Sequence, residues 1–193
     1  SEGPAVLHEK VLEKTLEVSN NSFWQGHVSA PNILSEVVKE FACVKNADHI
    51  LDLYGGVGLF AAALIEDVGP EGRIELIEGS KSATSDASRN FAENSNIKVI
   101  TGDVATHLPR INSADVVVLD PPRDGAGKIV VSEISRLKPR TIVYVACDPA
   151  ALARDTGYFL ERGYSLVKLR AFDLFPMTHH IECVALFEPA KVS

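Results

Sequence analysis

From residue 49 onward the chain repeats one unit: a short apolar run, a turn, and an amphipathic stretch. The runs His49–Tyr54, Arg73–Glu78, Lys98–Thr101, Asp115–Leu119 and Thr141–Cys147 have the length and composition of strands. Helix-like segments lie near 58–67, 80–94 and 127–138 between them, and near 149–162 after the fifth. Strands joined through helices run parallel, and a parallel sheet must be covered on both faces. The unbroken apolar run Val116-Val117-Val118-Leu119 meets that requirement. Two further candidates, Ser165–Asp173 and Ile181–Phe187, are separated by only Leu174 to His180, too short a link for a helical crossover. Those two strands are expected to pair antiparallel. The prediction is an α/β, Rossmann-like fold with a seven-stranded, mostly parallel sheet ending in an antiparallel pair.

The 193 residues suffice for one well-cored domain, assigned here to 29–193 and preceded by a lead-in segment, 1–28. Within the lead-in, residues 5–18 suit a helix by propensity and a hairpin by the placement of Val11, Thr15 and Val18, and both readings stand. Pro31 followed by the amphipathic run Asn32 to Phe41 predicts a helix with proline near its start. The longest strongly apolar stretch, Leu59 to Ile65, falls well short of the roughly 20 residues of a membrane span. Cys43, Cys147 and Cys183 are scattered and lack CxxC spacing, so no zinc or other metal site is expected and a reduced, cytoplasmic setting is. A net charge of −7 requires any nucleic-acid partner to be held by a local basic patch or by another module. Ser1 at the start and a single methionine, Met177, point to an excised domain, or a processed chain, of a larger protein.

Five places carry chemistry. The first is Asp52-Leu53-Tyr54-Gly55-Gly56-Val57-Gly58, a strand end running through a glycine turn into a helix, which lets backbone approach a ligand closely. The second and third are acids that end the next two strands. Glu78 is placed to accept hydrogen bonds from ribose hydroxyls, and Asp103 to lie beside an adenine edge. Neither a GxGxxG fingerprint nor a Walker lysine is present, which disfavours phosphate-bearing cofactors. S-adenosylmethionine fits better, because its sugar needs an acid and its amino-acid tail needs no phosphate cradle. The sheet pattern is correspondingly that of a class I S-adenosylmethionine-dependent methyltransferase and not of a full dinucleotide dehydrogenase.

The fourth place is the pair of ends after the next two strands. Asp120-Pro121-Pro122-Arg123 holds a carboxylate at the carboxyl edge of the sheet, where ligands bind in open α/β folds. Arg123 stands where amino-directed nucleic-acid methyltransferases carry an aromatic, which speaks against amino methylation. Cys147, ending the next strand, is either a buried structural thiol or a thiolate facing the cofactor. On the last strand His180 and Glu182 share a face.

Jointly, Phe23-Trp24-Gln25, the glycine motif, Asp120-Pro121-Pro122-Arg123, Tyr144 to Pro149 with Leu152-Ala153-Arg154-Asp155, and Phe175 to Glu182 resemble the RNA uracil carbon-5 methyltransferase family, which makes 5-methyluridine in transfer and ribosomal RNA. The resemblance implies Cys147 as nucleophile and Glu182 as base. It implies cofactor contacts at Gln25, Tyr54, Gly56, Glu78, Asp103 and Asp120, an RNA substrate, and an RNA-binding domain elsewhere in the full-length protein. Phe23 or Trp24 would stack on a flipped base or belong to the core; His180 would orient Glu182 or stand by. The sequence departs from the family's common pattern at His27, Gly55, Leu59 and Asp148. An RNA cytosine carbon-5 methyltransferase and an inactive cofactor- or RNA-binding module are the alternatives.

Overall fold

The computed structural model describes residues 6–25, 28–173 and 181–191. It opens with a hairpin of β1 (Val6–Val11) and β2 (Lys14–Ser19), so the lead-in is a strand pair and not a helix. Alternation decides this: Leu16 and Val18 point inward with Val11 and are buried, while Thr15 beside them faces water. The hairpin lies on α3, and its three apolar residues join the main core.

The sheet and its helices follow as α1 (Ala30–Ala42), β3 (His49–Leu53), α2 (Leu59–Val68), β4 (Arg73–Glu78), α3 (Lys81–Asn90), β5 (Ile97–Thr101), α4 (Val104–His107), β6 (Val116–Leu119), α5 (Gly127–Leu137), β7 (Thr141–Ala146), α6 (Pro149–Leu160), β8 (Tyr164–Phe172) and β9 (Glu182–Pro189). Strand order across the seven-stranded sheet is β5-β4-β3-β6-β7-β9-β8. The pairings among β3 to β7 are parallel, whereas β9 runs antiparallel to both β7 and β8. One face packs on α1, α2, α3 and the hairpin through residues such as Leu34, Phe41, Leu64 and Val118. The other packs on α4, α5 and α6 through Leu53, Ile134, Tyr144, Phe159 and Phe187.

The antiparallel pair is present but is not simply appended at the edge. β9 inserts between β7 and β8, so it alone runs against the other six strands. Burial explains the order. Glu182 to Phe187 are all buried, as an inner strand requires, whereas β8 exposes Leu166 to Ala171 with Lys168 and Arg170 among them, which suits an edge. The one-turn helix α4 was not expected. Asp103 caps it by accepting from the Thr106 amide at 2.8 Å.

Candidate active site

The site forms where the parallel strands end. After β3 the chain turns through Tyr54, which adopts a left-handed φ of 58°, and through Gly56 (φ 56°) and Gly58 (φ 99°). A Cβ at Gly58 would lie 2.2 Å from the Phe91 ring, so the turn tolerates no side chain there. The turn is tied down on both sides. The Gly55 amide donates to the Ile77 carbonyl at 3.2 Å, and the Gly56 amide to Glu78 Oε2 at 3.1 Å. Glu78 Oε1 accepts from the Ser80 amide at 2.6 Å, fixing the acid at the end of β4. Asp52 is buried beneath the turn; its Oδ2 accepts from the Ala61 amide at 3.0 Å and its Oδ1 has no hydrogen-bond partner among the described residues. Burial, with Glu78 nearby, pushes its carboxyl up to about 7.

These elements enclose a cavity of about 910 Å³. Its walls include all eight positions singled out from the sequence: Gln25, Tyr54, Gly56, Glu78, Asp103, Asp120, Cys147 and Glu182. Phe23 and Trp24 also face it, Phe23 being largely exposed and Trp24 packed partly into the core. Asn21, Ser80 and Gly102 line it too and were not anticipated. The volume is near the top of the range of about 300–1,000 Å³ usual for small-ligand sites. Four carboxylates meet one cationic side chain, Arg123, among the described lining residues. That balance favours a ligand bearing positive charge.

Cys147 and Glu182 come from different ends of the chain. The β7–β9 register ends at Ala146 opposite Cys183, so the next step outward sets Cys147 against Glu182. Of the three cysteines, Cys43 is exposed, Cys183 is buried and Cys147 is partly buried at the cavity wall, which removes the reading of Cys147 as a sealed core thiol. Burial raises its thiol above the usual value; the charges of Glu182 and Asp120 add to the rise and Arg123 opposes it. Burial likewise raises Glu182. Asp120 is pushed up to about 8 by desolvation first, then by Glu182, Asp52 and Glu78. Asp148, beside the cysteine, caps α6 by accepting from the Ala151 amide at 2.7 Å, a task that asparagine performs equally well.

The loop after Asp120 is held from below. Asp155, fully buried on α6, accepts through Oδ2 from the Tyr144 hydroxyl (2.8 Å) and from the amides of Ala126 (2.7 Å) and Gly127 (3.2 Å). Its Oδ1 accepts from Arg154, whose other bond goes to the Asp124 carbonyl at 2.6 Å. This fixes Pro121-Pro122-Arg123 against the cavity. His27, His179, His180 and the Phe175–Thr178 part of the motif lie outside the described residues. Among the described residues no group of three or more His, Cys, Asp or Glu is arranged to hold a metal, and no helix is long and apolar enough to cross a membrane.

Residues 7–190 match the model of the tRNA (uracil-5-)-methyltransferase family. An uncharacterized RNA methyltransferase of Streptomyces avermitilis is 48% identical over 190 residues, covering 97% of this chain and 44% of the relative. Another from Thermotoga maritima is 35% identical over 183 residues, covering 93% of this chain and 41% of the relative. The chain therefore spans less than half the length of these relatives. Among solved structures, the tRNA (uracil-54, C5)-methyltransferase of Pyrococcus abyssi in complex with S-adenosyl-L-homocysteine superposes with a TM-score of 0.80 at 29% identity, over 96% of this chain and 45% of that one. The fold is that of S-adenosylmethionine-dependent methyltransferases, and the chain belongs to the tRNA (uracil-5-)-methyltransferase family.

Proposed function

We propose that this chain is the catalytic region of an S-adenosylmethionine-dependent RNA uracil carbon-5 methyltransferase. Cys147 is its nucleophile and Glu182 its base. The observation that carries the reading is the adjacency of these two residues across β7 and β9, both at the wall of one acid-lined cavity. The residues present fit the cofactor: Glu78 would hold its ribose, Asp103 its adenine side, and Gln25, Tyr54, Gly56 and Asp120 would line the rest of it. The excess of carboxylates suits a ligand that carries a sulfonium and an ammonium. Bound there, S-adenosylmethionine supplies an electrophilic methyl carbon and leaves as a neutral thioether.

Carbon 5 of uracil is too weak a nucleophile to take that methyl unaided. Cys147 gives up its thiol proton to solvent, the thiolate adds to carbon 6, and the electrons of the carbon 5–carbon 6 double bond move toward the carbon 4 carbonyl as an enolate. The enolate then forms the new carbon–carbon bond at carbon 5. Glu182 removes the proton left on carbon 5; that electron pair restores the double bond and the carbon 6–sulfur bond breaks, regenerating the thiolate. The reacting atoms of a paired base lie inside the stack, so the uridine enters unstacked or flipped.

The substrate is a transfer or ribosomal RNA, the compartment cytoplasmic, and RNA capture belongs to another domain of the full-length protein. In this division residues 29–193 form the catalytic domain, and Asn21 and Phe23 to Gln25 of the lead-in 1–28 complete its cofactor wall. Tritium release from RNA labelled at carbon 5 of uridine tests the reaction, with the longer protein as enzyme. Release from uridine label and none from cytidine label is expected; the reverse would establish cytosine methylation, and no release from either would mark an inactive binding module.

A further inference from the structure

We propose that Asp86 and Asn90, on one face of α3, are positioning residues that set the geometry of the cofactor site. They clamp both the Asn21–Gln25 wall and the glycine turn to a single helix. The inference rests on the cofactor reading above but is independent of the chemistry assigned to Cys147.

Ser82, Asp86 and Asn90 are spaced four apart and so share a helix face. Each bonds to a distant segment. Ser82 Oγ donates to the Asn21 carbonyl at 3.0 Å. Asp86 is only 1% exposed; its Oδ2 accepts from the Ser19 amide (2.9 Å) and the Ser22 hydroxyl (2.6 Å), and its Oδ1 accepts from the Ser19 hydroxyl (2.6 Å) and from Arg89. Asn90 pairs reciprocally with the Glu17 backbone, accepting from its amide at 2.7 Å and donating to its carbonyl at 3.1 Å. It also donates to the Val57 carbonyl in the glycine turn at 3.1 Å.

The helix that carries these groups begins at Ser80, whose amide is bonded to Glu78. One rigid element thus fixes three walls relative to one another: the ribose-side acid, the turn through Val57, and the segment that presents Asn21, Phe23, Trp24 and Gln25 to the cavity. A buried carboxylate is an expensive way merely to hold a hairpin against a helix, where apolar contact would serve. Directional bonds from four donors do what apolar contact does not: they fix register and angle. The bonds to Ser19 and Ser22 keep Asp86 ionised despite its burial.

Trp24 is the chain's single tryptophan, so its fluorescence reports this wall directly. The experiment compares Asp86→Ala, Ser22→Ala and wild type by acrylamide quenching of Trp24, S-adenosylhomocysteine affinity, circular dichroism and melting temperature. His49→Ala, which removes a partly buried network at the amino end of β3, is the control for general destabilisation. Folded Asp86→Ala is expected to bind S-adenosylhomocysteine about tenfold more weakly, and Ser22→Ala about threefold, with more accessible Trp24 in both. His49→Ala is expected to melt earlier with affinity and quenching unchanged. Unaltered affinity and quenching in folded Asp86→Ala, or the same losses in His49→Ala, overturn the inference. Where Asp86→Ala does not fold, Ser22→Ala decides: unchanged affinity overturns it. Wild-type protein that fails to bind S-adenosylhomocysteine overturns the cofactor reading itself, and this inference with it.

Discussion

Burial raises the carboxyl groups of Asp52, Asp120 and Glu182, with the charges of Glu182, Asp52 and Glu78 adding to the rise at Asp120, so the fold holds protons that an unfolded chain would release. Asp52 and Asp120 ionise near 3.8 when exposed but are held up to about 7 and about 8 in the fold. The sign follows: between those values the native state binds more protons than the unfolded one, so stability falls as pH rises. His49, lowered by burial, acts below about pH 6.5, and the raised thiols act above 9. The interval from pH 7 to 8.5 therefore isolates the carboxylates. Melting temperature should drop there by about 2–4 °C, and Asp120→Asn should remove most of that drop, as scanning calorimetry can show. S-adenosylmethionine should bind more tightly at pH 8.5 than at 7, with a smaller gain for S-adenosylhomocysteine, which lacks the sulfonium charge; equal gains in titration calorimetry would contradict the charge argument. At Cys147 itself, alanine should cut turnover by at least about 10⁴-fold while leaving cofactor affinity intact. Glutamine at Glu182 should still permit attack and methyl transfer but stall release, seen as an RNA-bound band on denaturing gels.

At the scale of elements, loops are fixed by helices lying beneath them. Asp155→Ala would leave the Tyr144 hydroxyl, two amides and Arg154 without their shared acceptor. It should cost about 3–5 kcal/mol and lower the melting temperature by about 10 °C. Gly58→Ala, forced to a φ of 99° against Phe91, should cost about 1–3 kcal/mol and weaken cofactor binding, measurable by denaturant titration with and without ligand. Local pattern made most of these elements legible: β3 to β7 and the major helices lie within a few residues of where periodicity put them. The positions of Glu78, Asp103 and Asp120 followed, because a parallel strand's carboxyl end is a defined place. The insertion of β9 was not deduced, since a short link fixes which strands pair but not which lies inside. Its signal was the contrast between apolar Cys183–Phe187 and the charged Lys168 and Arg170. That insertion sets Cys147 opposite Glu182, so their adjacency came from family resemblance and not from spacing. Asp86 and Asn90 escaped notice because a polar helix face reads as solvated until its partner, 64 to 73 residues away in sequence, is known.

For the whole molecule, the proposal that RNA capture lies outside this chain is tested through charge. A chain of net charge −7 repels a polyanion, yet the reaction proposed for it acts on RNA. The relatives are more than twice as long, and the proposal assigns that contact to sequence outside this chain. The longer protein should therefore exceed this chain in kcat/KM for RNA, with a steep loss on raising salt, while S-adenosylhomocysteine affinity is the same for both. Steady-state kinetics at two salt concentrations would show it. The central claim, that one sulfur and one carboxylate act on a single pyrimidine, is tested most directly with RNA carrying 5-fluorouridine at the target. Fluorine cannot leave carbon 5 as a proton does, so elimination is blocked after methyl transfer. Mass spectrometry of the digested adduct should then find a methylated fluoropyrimidine attached to the peptide bearing Cys147. A stable adduct on Cys43 or Cys183, or methylated uridine formed by Cys147→Ala, would contradict it.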